Sequence, residues 1–300
     1  MSARRGGIFT YTQNLRASFE SAGLEATIAL PHTNPARHSS QAISFDIENL
    51  GAFRRFLWEQ TTWRSIVQNY QPGVLFSSAN FGLLASPVPQ LLMMSEGGLF
   101  NPQYLRHIMP RLGIQLRSLN HLRRQLMLRS IKSASVVMLP TETLYDWIHA
   151  YCPELEERAI LNYYGVDLNR LQPKIRQSLL PDGPVRLLYV SVYYPHKDPE
   201  TLNQAIKSLR ANNVEATGHI TMAEEEFLHW PCGREDYEKL KKGVAEGYLT
   251  MAPVPHNDLP ETYSNYDLFV FPSVSETFGF PLVEAMACGL PILAADTLTN

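Results

Sequence analysis

Cysteine is scarce and odd in number: Cys152, Cys232 and Cys288 are the three in 300 residues, and no two lie close together. A disulfide framework and a thiolate zinc site are both disfavoured, and a reducing compartment is the simpler expectation. Long apolar runs are missing too. No stretch reaches eighteen uninterrupted apolar residues, so no transmembrane helix is expected, and the first residues lack the apolar core of a signal peptide. Neither sign of charge dominates. The 26 Lys and Arg against 29 Asp and Glu leave a net charge of −3, whereas a general nucleic-acid binder is normally basic. A soluble cytoplasmic protein with no nucleic-acid partner follows as the expectation. What is present in ordinary amount is apolar material: 45% hydrophobic residues are ample for two cores, and 300 residues suggest about two domains.

The most informative stretch runs from Phe271 to Pro291 and carries two carboxylates, Glu276 and Glu284, eight positions apart. The apolar run Asp267–Phe271, closed by Pro272 and Ser273, predicts a buried strand. From Pro281 the pattern turns helical, with proline suited to the first turn, Glu284 near the start and Gly289 as a stop. Backbone N–H groups at such a helix start form a ready phosphate site. A phosphate held there, with carboxylates on either side to accept from hydroxyls, describes a sugar nucleotide.

Along the chain, strand and helix signals alternate. A helix is expected over Ile8, Tyr11, Leu15 and Phe19, then a strand Ala26–Leu30, a polar irregular stretch 32–48 and a helix Leu50–Tyr70. Val74–Ser77, Pro89–Met94, Val136–Leu139 and Ile160–Tyr164 read as strands. After a linker near Leu171–Pro184 a second cycle brings strands at Val185–Val192, Thr217–Met222, Tyr248–Met251, Asp267–Phe271 and Pro291–Ala295, with helices Pro199–Leu209 and Arg234–Ala245. Such alternation predicts parallel, doubly wound sheets with ligands at the carboxyl ends of the strands.

Glu276 and Glu284, set in Phe-Pro-Ser, Phe-Gly-Phe-Pro and Glu-Ala-Met-Ala-Cys-Gly-Leu-Pro, resemble the E-x7-E block of family 4 retaining glycosyltransferases. The resemblance implies an α/β chain of the GT-B fold, two Rossmann-like doubly wound domains facing a cleft. Residues 1–172 would form the acceptor-side domain and 173–300 the nucleotide-sugar domain. It implies transfer of a hexosyl group from a sugar nucleotide to a saccharide or lipid-linked acceptor, in surface polysaccharide or glycan synthesis, with no cofactor and no metal. Glu276 would be catalytic together with Lys197, in the loop Tyr193–Asp198. Gly279, Phe280, Pro281, Leu282, Val283 and Glu284 would hold the donor, Glu284 through ribose hydroxyls. Gly6 and Gly7 resemble the family's first-domain glycine loop.

The chain also departs from the family's pattern. The arginine that commonly precedes the lysine is replaced by Ser191 or Val192, and Ser95 and Glu96 stand where many members place a histidine. Gly6–Gly7 follow the start at once and the chain stops at Asn300, so a fragment short of a first strand and of the last strand and helices is expected. Asn162, Gly165 and Asp167 resemble a hinge turn. His256, Asn257 and Asp258 suit either a loop near the base or a helix cap. Between Gly97 and Pro140 stand seven Lys or Arg and no acid, among them Arg106, Arg111, Arg117, Arg123, Arg124, Arg129 and Lys132. A basic amphipathic helix over 104–132 would meet an anionic membrane surface, against the plain alternative of a solvated face. Displacement on one face and through a covalent intermediate both stay open here. So do two other functions: a sugar-nucleotide 2-epimerase on the same fold, and a non-catalytic binding remnant.

Overall fold

The computed structural model describes residues 15, 18–32, 42–47, 49–175, 181 and 183–300; Gly6 and Gly7 lie outside them. The chain divides into two compact units. The first is Met1–Gly97 with His121–Tyr164, and the second is Gly98–Asn120 with Gly165–Asn300. The division thus changes hands at Tyr164 rather than near residue 172, and it assigns the stretch 98–120 to the unit formed by the C-terminal half.

In the first unit, β1 (Ile28–Pro31) pairs in parallel with β2 (Ala42–Phe45). The second of these corrects the reading of 32–48 as irregular throughout: four residues with alternating Ile43 and Phe45 suffice when a neighbouring strand supplies the hydrogen bonds. A four-stranded parallel sheet runs in the order β3 (Leu75–Ser77), β4 (Gln90–Met93), β5 (Val136–Leu139), β6 (Ala159–Leu161). Leu92 and Val137 are 0% exposed, as apolar strands buried between layers should be. Helix α1 (Glu142–His149) shows why it forms where it does. Thr141 caps it by accepting from the Leu144 amide at 3.2 Å, Glu142 sits at its positive end and His149 at its negative end. Leu144, Trp147 and Ile148 recur at helical spacing and are buried.

The segment expected as one basic helix is broken. Tyr104–Ile108 and Met109–Leu112 are short wide and tight turns, and only at Gly113 does the long helix α2 (Gly113–Ser133) begin. Pro110 and the left-handed Gly113, at φ 73°, provide the physical reason.

The second unit carries a five-stranded parallel sheet in the order β11 (Ile292–Ala294), β10 (Leu268–Phe271), β7 (Val185–Tyr189), β8 (Ala216–Ile220), β9 (Leu249–Met251). Leu268 pairs with Leu187 and Phe269 with Leu188, so β7 and β10 lie side by side at the centre. Helices α3 (Pro199–Ala211), α4 (Gly233–Ala245), α5 (Leu259–Ser264) and α6 (Phe280–Ala287) connect the strands. One core joins Leu187, Leu188, Ile206, Phe227, Leu240, Phe269 and Phe271. Burying one such side chain contributes roughly 1.5–3 kcal/mol. That rigidity matters because both loops of the candidate site leave from β7 and β10.

Candidate active site

Strand order in the second sheet reverses between β7 and β10. Connections from these two neighbours therefore depart in opposite directions and leave a crevice at their carboxyl ends, where open α/β sheets bind ligands. The loop after β7 carries Lys197 and the loop after β10 carries Glu276. Lys197 Nζ donates to Glu276 Oε1 at 2.5 Å, and the two side chains are only 11% and 10% exposed. Burial alone pushes the Glu276 carboxyl upward. The Lys197 charge and hydrogen bond, with help from the Ser273 hydroxyl, outweigh it and hold the group below the usual carboxylate range. The carboxylate is charged.

Both loops are pinned from beneath. The Tyr189 hydroxyl donates to the Lys197 carbonyl at 2.7 Å and lies 2.9 Å from Ser273 Oγ, and the Val274 amide donates to the His196 carbonyl at 2.9 Å. His196 is crowded by protein and stands beside Lys197; both disfavour its charged form and bring its pKa down to about 3. A neutral imidazole thus lies next to the charged pair.

Gly279 opens α6 with φ 77°, a conformation that L side chains rarely adopt, and a Cβ there would meet Phe271 Cε1 at 3.4 Å. The Leu282 and Val283 amides donate to the Gly279 carbonyl at 2.9 and 3.3 Å, within the helix's own first turn, and Pro281 has no N–H to donate. Phe280 is 9% exposed, with its ring edge-on to Phe278. Glu284 is 4% exposed on the same helix, and its Oε2 accepts from the Tyr263 hydroxyl at 2.9 Å. Burial raises the Glu284 carboxyl, opposed by the Tyr263 bond and by the charge of Arg170. Tyr263, itself buried beside this carboxylate, is held well above its ordinary range and stays a donor.

Other residues singled out in the sequence fall elsewhere. In the first unit, Glu96 follows β4, and the Asn80 side-chain oxygen accepts from the Ser95 and Glu96 amides at 2.7 and 2.8 Å. Arg123 donates to Glu96 at 2.6 Å. Burial raises the Glu96 carboxyl against the pull of Arg123. Asp167 accepts from the Asn169 amide at 2.9 Å, the local side-chain turn that a hinge sequence suggests. His256–Asp258 form a tight turn leading into α5. Ser191 is used internally: its amide donates to Thr221 Oγ1 at 2.9 Å. Among the described residues no group of three or more His, Cys, Asp or Glu could hold a metal ion, and no helix is long and apolar enough to cross a membrane.

Residues 172–300 match the family model described as glycosyl transferases group 1. The D-inositol 3-phosphate glycosyltransferase 1 of Catenulispora acidiphila is 30% identical over 177 residues, which are 55% of this chain and 42% of that protein. The chain thus matches less than half the length of this curated relative. Among solved structures, the sucrose-phosphate synthase of Thermosynechococcus elongatus aligns over 97% of this chain and 76% of its own, with a TM-score of 0.72 and 17% identity. Anabaena HepE, solved in complex with UDP-glucose, aligns over 85% of this chain and 67% of its own, with a TM-score of 0.60 and 15% identity. These likenesses establish the fold, α/β of the GT-B type.

Proposed function

We propose that the protein is a retaining hexosyltransferase that moves a sugar from a nucleoside diphosphate to a saccharide or lipid-linked acceptor, in surface polysaccharide or glycan synthesis. The observation that carries the reading is the buried Lys197–Glu276 pair at the reversal of strand order, with Glu284 held by Tyr263 on the adjoining helix. Leaving-group departure puts negative charge on the diphosphate, and a preformed cation in a site shielded from water is what stabilises such charge. Lys197 supplies it, drawn from Glu276 towards the phosphates. Glu276 then accepts from hydroxyls of the transferred sugar, with the Gly279 and Phe280 backbone beside it. Glu284, with Oε2 engaged by Tyr263, receives the ribose through its other oxygen. HepE's binding of UDP-glucose supports a sugar nucleotide as donor.

Charge neutralisation by Lys197 assigns no step to a metal, so turnover is expected to be unchanged by a chelator. For the acceptor side, Ile114, Leu119 and Leu122 on α2 are 78%, 47% and 50% exposed among its arginines, which supports peripheral contact with an anionic membrane from the cytoplasmic side. Sedimentation with anionic vesicles that weakens with salt is the expected outcome; no sedimentation at low salt would remove that contact from the reading. The central test is Glu276→Ala. Labelled sugar transfer from the donor should fall by at least about 100-fold, the scale of removing one transition-state contact. Undiminished turnover refutes the assignment, and conversion of donor alone to an epimer would replace transfer with isomerisation.

A further inference from the structure

Three consecutive residues lead to Glu276, and each is anchored by a different bond. Ser273 Oγ meets the Tyr189 hydroxyl at 2.9 Å, the Val274 amide donates to the His196 carbonyl at 2.9 Å, and Ser275 Oγ accepts from Asn101 Nδ2 at 2.8 Å. The first two anchors belong to β7 and its loop. The third comes from 174 positions earlier in the chain, in the stretch Gly98–Asn120 that is compact with the second unit. Asn101 and Ser275 are 2% and 3% exposed, so neither competes with water for the other.

Asn101 is itself rigidly set. Its Oδ1 accepts from the Gln103 and Tyr104 amides at 2.8 and 3.4 Å, and the Leu105 amide donates to its carbonyl at 3.0 Å. The turn it caps is fastened twice more. Tyr104 packs edge-on against His196, with ring centroids 5.8 Å apart, and Arg111 Nη2 reaches both oxygens of Asp236 at 2.6 and 2.8 Å. Asp236 in turn accepts from the Tyr193 hydroxyl at 2.6 Å. One segment therefore touches both loops of the site, at residues adjacent to Lys197 and to Glu276. A loop end fixed by packing and hydrogen bonds keeps a carboxylate in register with its partner, where a displacement of about 1 Å would cost on the order of 100-fold in rate.

We infer that Asn101 is a positioning residue, acting through Ser275 to hold Glu276 in place for the sugar. The inference rests on the transferase reading of Glu276 for its catalytic consequence, but its geometry can be read without turnover. Two substitutions break the bond from opposite ends. Asn101→Ser keeps a side chain able to cap the turn but is too short to reach Ser275. Ser275→Ala leaves the cap untouched. In the 300-residue chain, carbon-13 NMR titration of the Glu276 carboxyl should show both variants and the double variant moving equally upward, toward the ordinary carboxylate range. Thermal unfolding of Ser275→Ala should stay a single cooperative transition at a modestly lower temperature, since the buried Asn101 amide loses its acceptor.

In turnover, each single variant should lower kcat by about 10- to 100-fold. Affinity for the free nucleoside diphosphate should stay within about twofold, and the double variant should be no worse than either single. An unmoved Glu276 titration overturns the inference, as does a double loss equal to the product of the singles. Equal loss of nucleoside-diphosphate affinity overturns it as well, since that marks general disruption. If the parent protein neither binds nor turns over any sugar nucleotide, the transferase reading fails, while the NMR titration still decides the role of Asn101.

Discussion

Replacing Lys197 by Met leaves the Glu276 carboxylate buried with its main partner gone. The pair is only 11% and 10% exposed, so little water reaches the lysine's place. Breaking a buried pair from one side costs about 3–5 kcal/mol, because the remaining charge is uncompensated. The cost must depend on pH, and the sign reverses between parent and variant. In the parent, Glu276 is held below its ordinary range, so its contribution is present at neutral pH and is lost as pH falls through the folded value. In Lys197→Met the largest lowering influence on Glu276 is gone, while burial, the largest influence of all, still raises the group. The variant's penalty should then be full at pH 8 and shrink as the carboxyl protonates, by at most about 1.4 kcal/mol per pH unit. His196 does not take over at pH 8, since burial is the first cause of its low value and remains in the variant. Native-state hydrogen exchange of β7 and β10 amides, corrected for intrinsic rates, measures the difference locally. A loss below about 0.5 kcal/mol, the size expected of an exposed pair, would refute the buried-pair argument. So would a penalty that grows toward acid.

Other outcomes follow from the same geometry. Tyr263→Phe removes one bond to a buried carboxylate, worth about 1.5–3 kcal/mol, and raises Glu284 further; calorimetry should show nucleoside-diphosphate affinity reduced by about tenfold. Gly279→Ala forces a side chain into φ 77° and against Phe271, so thermal unfolding should report a loss of about 1–2 kcal/mol. His196, neutral with a pKa of about 3, takes no proton between its unfolded and folded values, so stability should fall as pH drops below about 6.5, and His196→Asn should flatten that fall in acid denaturation curves.

What could be read from the sequence was what is local. Glu276, Gly279 and Glu284 lie on one strand–turn–helix, whose punctuation by Pro272, Gly279, Pro281 and Gly289 is visible in a single stretch. Lys197 precedes α3 in a loop of the same kind, and the parallel sheets were legible from alternating strand and helix signals. What escaped depends on partners far along the chain. Tyr263 looks like any core aromatic until α5 is laid against α6, and Asn101 looks like a turn asparagine until Ser275 meets it. The strand Ala42–Phe45 is too short to announce itself without β1. The break at Gly113 does carry a local signal, since Pro110 stands three residues earlier.

The most direct measurement is calorimetric titration of the chain with UDP, GDP and ADP in a chelator-containing buffer, repeated with Lys197→Met and Glu284→Ala. Saturable binding of at least one of these nucleotides, weakened by both substitutions, is the expected result. No binding of any, or binding indifferent to both side chains, would contradict it.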